Sequence, residues 1–130
     1  MNKRSFGHIG ENSAAIYLEG LGFEIVAKNF YVGKFEIDLI AKNSDLLVFA
    51  EVKTRRQYPD RHSPYGRPAA AVNYTKRKNM IDAALRYIHE NKEFCLELQP
   101  RLDIIEVYVD PDDVAYRVLE IKHFPNAVHR

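Results

Sequence analysis

Two apolar runs joined by a short polar break commit the middle of this chain to a sheet. Phe35-Glu36-Ile37-Asp38-Leu39-Ile40-Ala41 and Leu46-Leu47-Val48-Phe49-Ala50-Glu51-Val52-Lys53 are rich in Ile, Leu, Val and Phe, and Asn43-Ser44-Asp45 separates them. Runs of this kind bounded by turn residues read as the strands of a hairpin. Side chains alternate faces along a strand. Glu36, Asp38 and Ile40 therefore share one face of the first strand, with Ile37, Leu39 and Ala41 on the other. On the second, Leu47, Phe49, Glu51 and Lys53 share a face opposite Val48, Ala50 and Val52. Both faces are mostly apolar, which is the pattern of a sheet covered on both sides.

A Ser44-Asp45 loop would pair Asn43 with Leu46, setting Asp38 opposite Glu51 and Glu36 opposite Lys53. A slip of one residue would turn the second strand's charges to the other face. Two carboxylates at ~5 Å repel by roughly 3 kcal/mol at an effective dielectric of about 20, and like charges directly opposed weaken a sheet. Something positive belongs between them. Lys53 is one candidate. A divalent cation is the other, and carboxylate oxygens are hard ligands that suit magnesium or manganese.

At 130 residues the chain is expected to form a single domain over 1–130. No apolar run approaches the ~20 residues of a transmembrane helix, and Met1-Asn2-Lys3-Arg4 leads into no apolar signal core. Cys95 is the single cysteine. It excludes an internal disulfide and fits a reducing, cytoplasmic setting. Net charge is only +1, but it is unevenly spread. Residues 53–78 carry eight Lys or Arg (Lys53, Arg55, Arg56, Arg61, Arg67, Lys76, Arg77, Lys78) against Asp60 alone, a local charge of +7. That asymmetry suits a polyanionic partner on one side of the molecule, or else a solvated basic loop.

In chain order, residues 4–20 read as a helix with Ala14, Tyr17, Leu18 and Leu21 on its buried stripe. Gly7 and Gly10 would let a neighbouring backbone approach closely, with Glu11 at the margin of that face, either snorkelling to solvent or reaching the Asp38 and Glu51 cluster as a third acid. Gly20-Leu21-Gly22 ends the helix. Phe23–Ala27 reads as a strand and Asn29–Gly33 as the turn into the hairpin. Residues 54–72 read as a long loop, with Tyr58 and Tyr65 among its arginines. A second helix runs from a cap at Asn73 or Thr75 to about Asn91, with Met80, Ile81, Ala84, Tyr87 and Ile88 buried. Lys76, Arg77 and Lys78 crowd its first turn, where the macrodipole disfavours positive charge; they read as phosphate contacts or else as a merely solvated basic turn. Strands at 101–109 and 116–124 form a closing hairpin.

The histidines have no zinc-ligand spacing. No phosphate-cradling glycine loop and no G-x-S-x-G turn is present. What remains is Asp38, twelve intervening residues, then Glu51-Val52-Lys53, of the form D…E-x-K. Glu-x-Lys puts an acid and an ammonium on one face of a strand. A divalent metal there would polarise a phosphoryl oxygen and acidify water, and the lysine would stabilise developing charge. This is a workable site for phosphodiester hydrolysis.

With these residues the chain resembles the PD-(D/E)xK nuclease superfamily and, more closely, the YraN-like family of uncharacterised bacterial proteins. The matching pieces are Gly10-Glu11, Phe35-Glu36-Ile37-Asp38-Leu39-Ile40-Ala41, Val48-Phe49-Ala50-Glu51-Val52-Lys53, Ala71-Val72 followed by Lys76, Arg101-Leu102-Asp103-Ile104, and His123-Phe124-Pro125-Asn126-Ala127. The resemblance implies an α/β fold with a restriction-endonuclease-like mixed β-sheet, helices on both faces and an α-β-β-β-α-β core. By similarity to archaeal Holliday-junction resolvases, Glu11, Asp38 and Glu51 would bind magnesium or manganese and Lys53 would assist the attacking water. Arg55, Arg56, Arg67, Lys76, Arg77 and Lys78 would meet the nucleic acid. Ile37 stands where the superfamily often has proline, and Phe35 where the YraN-like pattern usually has glycine. The expected function is a divalent-metal-dependent endonuclease on DNA, branched or single-stranded, without membrane association; the resolvase likeness implies a homodimer. The alternatives are a non-catalytic nucleic-acid-binding module and a scaffold that keeps the nuclease fold.

Overall fold

The computed structural model describes residues 3–58 and 74–128, with backbone alone for Lys3 and Arg4. The elements are α1 (Lys3–Gly20), β1 (Glu24–Val32), β2 (Phe35–Lys42), β3 (Leu46–Arg56), α2 (Tyr74–Glu90), α3 (Lys92–Cys95), β4 (Gln99–Val109) and β5 (Val118–Val128). The strands lie in the order β1-β2-β3-β4-β5. Neighbours are antiparallel except β3 and β4, which run parallel and require the α2 crossover. This is the expected core followed by a fifth strand, an α/β arrangement of the restriction-endonuclease-like kind.

Helices cover both faces, as the doubly apolar strands require. Ala14, Ala15 and Leu18 of α1 pack with Leu39, Ala41, Val48, Ala50, Ile105 and Val107. Ala83, Ala84 and Tyr87 of α2 pack with Ile37, Ile40, Leu47 and Phe49 on the opposite face. Alanines at these contacts bring the helices close to the sheet. At Gly10 the approach is closest, because a Cβ there would overlap Thr54 Oγ1 and lie 2.9 Å from Thr54 Cβ. Gly7, expected to do the same, has nothing within 4 Å of that position. The helix stops where the glycines predict. The Phe23 amide reaches Leu18 O and the Gly22 amide Glu19 O, each at 3.0 Å, and Gly22 has φ 96°, which together make a Schellman cap.

The β2–β3 connection is an Asx turn. Asn43 Oδ1 accepts from the amides of Asp45 and Leu46 at 2.9 and 2.7 Å. Every observed pair, from Lys42 with Leu47 to Leu39 with Ala50, keeps the offset that a Ser44-Asp45 loop dictates. The ladder runs no further. Glu36 is therefore not paired with Lys53 as the extended register had it; it pairs with Tyr31 of β1.

Other boundaries also differ. β1 continues to Val32 and turns at Gly33-Lys34, with Gly33 at φ 62°, in place of a turn over 29–33. β3 continues through Arg56, because β4 supports it by parallel pairing as far as Arg56 with Val109; Thr54, Arg55 and Arg56 thus leave the expected loop. β5 spans Val118–Val128, starting after Tyr116, and α3 is an additional turn of helix. Residues 59–72 of the expected loop, with Tyr65 and Arg67, and the cap at Asn73 lie outside the described residues.

Candidate active site

Strand alternation is broken at Asp38. Ile37 belongs to the α2-side core and Leu39 to the α1-side core, although residues two apart normally share a face. β1 makes the matching break. Between its Lys28–Leu39 and Phe30–Ile37 pairs lies Asn29, at φ 51°. Asparagine is among the few residues that tolerate this left-handed conformation. Asp38 thus sits at a pivot where the hairpin changes sides, just past the end of the β2–β3 ladder.

The pivot collects acids from three elements. Glu11 of α1 and Glu36 and Asp38 of β2 each offer a carboxylate oxygen, all within 4.8 Å of one another. Glu51 of β3 adds a fourth negative charge within electrostatic reach of Asp38. The Val52 amide donates to Asp38 Oδ2 at 2.8 Å. Burial, Glu51, and then Glu11 and Glu36 push the Asp38 carboxyl up to about 7, against the opposing effect of that amide. Glu51 Oε1 lies 2.8 Å from Lys76 Nζ in the first turn of α2. The hydrogen bond to Glu51 raises the Lys76 pKa over the lowering effect of its own burial. Glu36, Asp38, Glu51 and Lys76 line a cleft of about 260 Å³; Glu11 is not among its lining residues. Phe35, Ile37, Phe49, Met80 and Leu102 supply its apolar walls.

The donor set fits a hard divalent cation: three carboxylate oxygens from two elements, crowded enough to hold a proton on Asp38 near neutrality. Of the residues expected to bind metal, Glu11 and Asp38 are in the close group. Glu51 stands beside it on Lys76, and Glu36 takes the third place. Sequence reasoning set Glu36 against Lys53 by extending the ladder past its end. The signal for its true neighbours was the glycine at position 33, which turns β2 back along β1.

Lys53 is half-buried, two residues beyond Glu51 and paired in the sheet with Glu106; among the described residues it makes no ion pair with the acids. Arg55 Nε lies 3.5 Å from the fully buried Glu106 Oε2, and the Arg56 guanidinium stacks 5.1 Å from the Phe6 ring centroid. Arg77 and Lys78 are exposed in the first turn of α2. Arg67 lies outside the described residues.

A second polar group is built around Asp103 of β4, whose sheet partner is Ala50 of β3. Asp103 is fully buried. Its Oδ1 accepts from Arg101 Nε and the Asn126 amide, each at 2.9 Å, and its Oδ2 from Arg101 Nη2 at 2.8 Å. His123 Nε2 lies 2.7 Å from Oδ2, and the Tyr17 hydroxyl 3.0 Å from His123 Nδ1. This group ties α1 and β5 to β4 and explains the presence of the Arg101-Leu102-Asp103 and His123-Phe124-Pro125-Asn126 runs as structural.

A family model described as "Uncharacterised protein family UPF0102" matches residues 10–107. A UPF0102 protein of Caldanaerobacter subterraneus is 38% identical over 127 residues, covering 98% of this chain and 97% of that protein. One from Caldicellulosiruptor saccharolyticus is 36% identical over 128 residues, with 98% and 99% covered. Among solved structures, Pyrococcus furiosus SfsA in complex with Ca2+ matches at TM-score 0.31 and 17% identity, over 89% of this chain and 59% of that one, a likeness too distant to argue from.

Proposed function

The chain belongs to the uncharacterised protein family UPF0102, and on that footing we propose that it is a divalent-metal-dependent endonuclease hydrolysing DNA phosphodiester bonds. The observation that carries this reading is the convergence of Glu11, Glu36 and Asp38 at the pivot, with Asp38 raised to about 7 by burial and its acidic neighbours. Structural ion networks normally neutralise such a group. Here the crowding leaves the acids short of positive charge, which suits a cation arriving from solution.

Glu11, Glu36 and Asp38 would hold the ion, with Glu51 within reach. Bound there, magnesium or manganese would polarise a phosphoryl oxygen and acidify water. The chain's own contribution is positioning and charge. The Val52 amide fixes one Asp38 oxygen and leaves the other for the ion. Lys53, on the Glu51 strand, would stabilise charge developing on the phosphate. Arg55, Arg77 and Lys78 would hold flanking phosphates by ion pairing.

The test is cleavage of duplex, single-stranded and branched DNA with magnesium or manganese, by wild type, Asp38→Asn and Lys53→Ala. Metal-dependent cleavage lost in both variants is expected. Equal background rates in all three would overturn the enzyme reading, and salt-sensitive binding without cleavage would leave a binding module.

A further inference from the structure

We propose that Lys76 is a built-in counter-cation for the acid site: it holds Glu51 until a DNA phosphate draws it away, and thereby couples metal binding to substrate binding. This rests on the metal-site reading above and assigns the regulation of that site. Glu51 keeps only 11% of its side-chain surface exposed, and its Oε1 is 2.8 Å from Lys76 Nζ. The same ammonium lies within electrostatic reach of Asp38 and Glu36. It therefore offsets the charge that a metal ion would offset.

Its place in the helix points the same way. α2 has no acid in its first turn, and Lys76 stands there with Arg77 and Lys78, where positive charge opposes the helix dipole. The helix gains nothing from a lysine at this position, whereas Glu51 does. Lys53 cannot fill the role, since among the described residues it makes no ion pair with these acids. The Lys76 side chain is 46% exposed and sits at the cleft. A flexible four-carbon stem lets its ammonium exchange a carboxylate for a phosphate without moving the helix.

The consequence follows from charge alone. A divalent ion among the acids and an ammonium on Glu51 repel, so each weakens the other's hold. A phosphate that engages Lys76 removes the repulsion and frees Glu51, so DNA tightens metal binding. Linkage then requires metal to tighten DNA binding by the same factor.

The experiment is manganese titration, followed by the electron paramagnetic resonance of free ion, with and without a cleavage-resistant phosphorothioate oligodeoxynucleotide. Wild type should bind manganese about tenfold more tightly with the oligonucleotide, within the usual range for coupled sites. Lys76→Gln should bind manganese about tenfold more tightly than wild type without it and gain little on its addition. Lys76→Arg, which keeps the ion pair, should behave as wild type. Thermal unfolding of the metal-free variants establishes that each is folded. Equal manganese affinity for wild type and Lys76→Gln overturns the proposal while leaving the metal site standing. No manganese binding by either overturns both.

Discussion

The Val52 amide donates to Asp38 Oδ2 at 2.8 Å, one step beyond the Leu39–Ala50 pair where the ladder between their strands ends. A side-chain carboxylate thus caps the main-chain ladder, and the strand end and the acid site are one construction. Burial is the largest influence on Asp38 and Glu51 the next; both raise it, and the amide offsets them only in part.

Stability should therefore fall as pH rises through the range between the ordinary 3.8 of an aspartate and about 7. Over that window the folded state holds a proton on Asp38 that the unfolded chain has released, so raising the pH favours unfolding. Asp38→Asn removes this charge and keeps an oxygen for the Val52 amide. In metal-free buffer it should be more stable than wild type by about 2–4 kcal/mol at pH 8, the gain vanishing towards pH 4. Urea unfolding at several pH values checks it.

Metal binding should show the opposite trend. An ion requires the ionised Asp38, so manganese affinity should climb between pH 6 and 8 with release of about one proton. Calorimetry in buffers of different ionisation enthalpy measures that proton directly, and Asp38→Asn should bind far less metal.

Asp103 should behave as the reverse of Asp38. Burial raises its pKa, but His123, Arg101 and the Asn126 amide outweigh burial and hold it below 3.8. A depressed folded value stabilises the protein above the unfolded value and loses that contribution as pH falls below about 4. Asp103→Asn should cost about 3–5 kcal/mol at pH 7, because it strands the Arg101 charge. Its stability should also change less below pH 4 than that of wild type. Acid titration of the denaturation midpoint reads both effects.

Two glycines of one helix should respond with opposite signs. Gly10→Ala forces a methyl into Thr54 and should cost about 1–3 kcal/mol, partly recovered by adding Thr54→Ala. Gly7→Ala meets open space and should stabilise by about 0.5–1 kcal/mol through helix entropy. Melting temperatures of the variants decide it.

Much of this architecture can be read from local chemistry. Asn43 set the turn, the turn set the register, and the apolar alternation of β2 and β3 required helices on both faces. The Schellman glycine ended α1 where expected. What failed was information held between strands. The β2–β3 ladder ends at Leu39 with Ala50, a limit that no residue of either strand announces, so Glu36 was sent to the wrong neighbour. The length of β3 depends on β4, some fifty residues away in sequence (Arg56 with Val109 at its limit). Lys76 read as a phosphate contact because its charge conflicts with the helix dipole; its bond to Glu51 depends on the tertiary seat of α2.

The reversal between Ile37 and Leu39 makes Asp38 answerable to two separate interiors at once. Ile37 is anchored under α2 and Leu39 under α1, so repacking beneath either helix displaces the aspartate like a lever on a fulcrum. Ile37→Val or Leu39→Val should shift the titration of Asp38, which a pH series of the variants' stability reads. Adaptation of such a site can proceed from inside the molecule, through buried aliphatic exchanges that never touch the acids themselves.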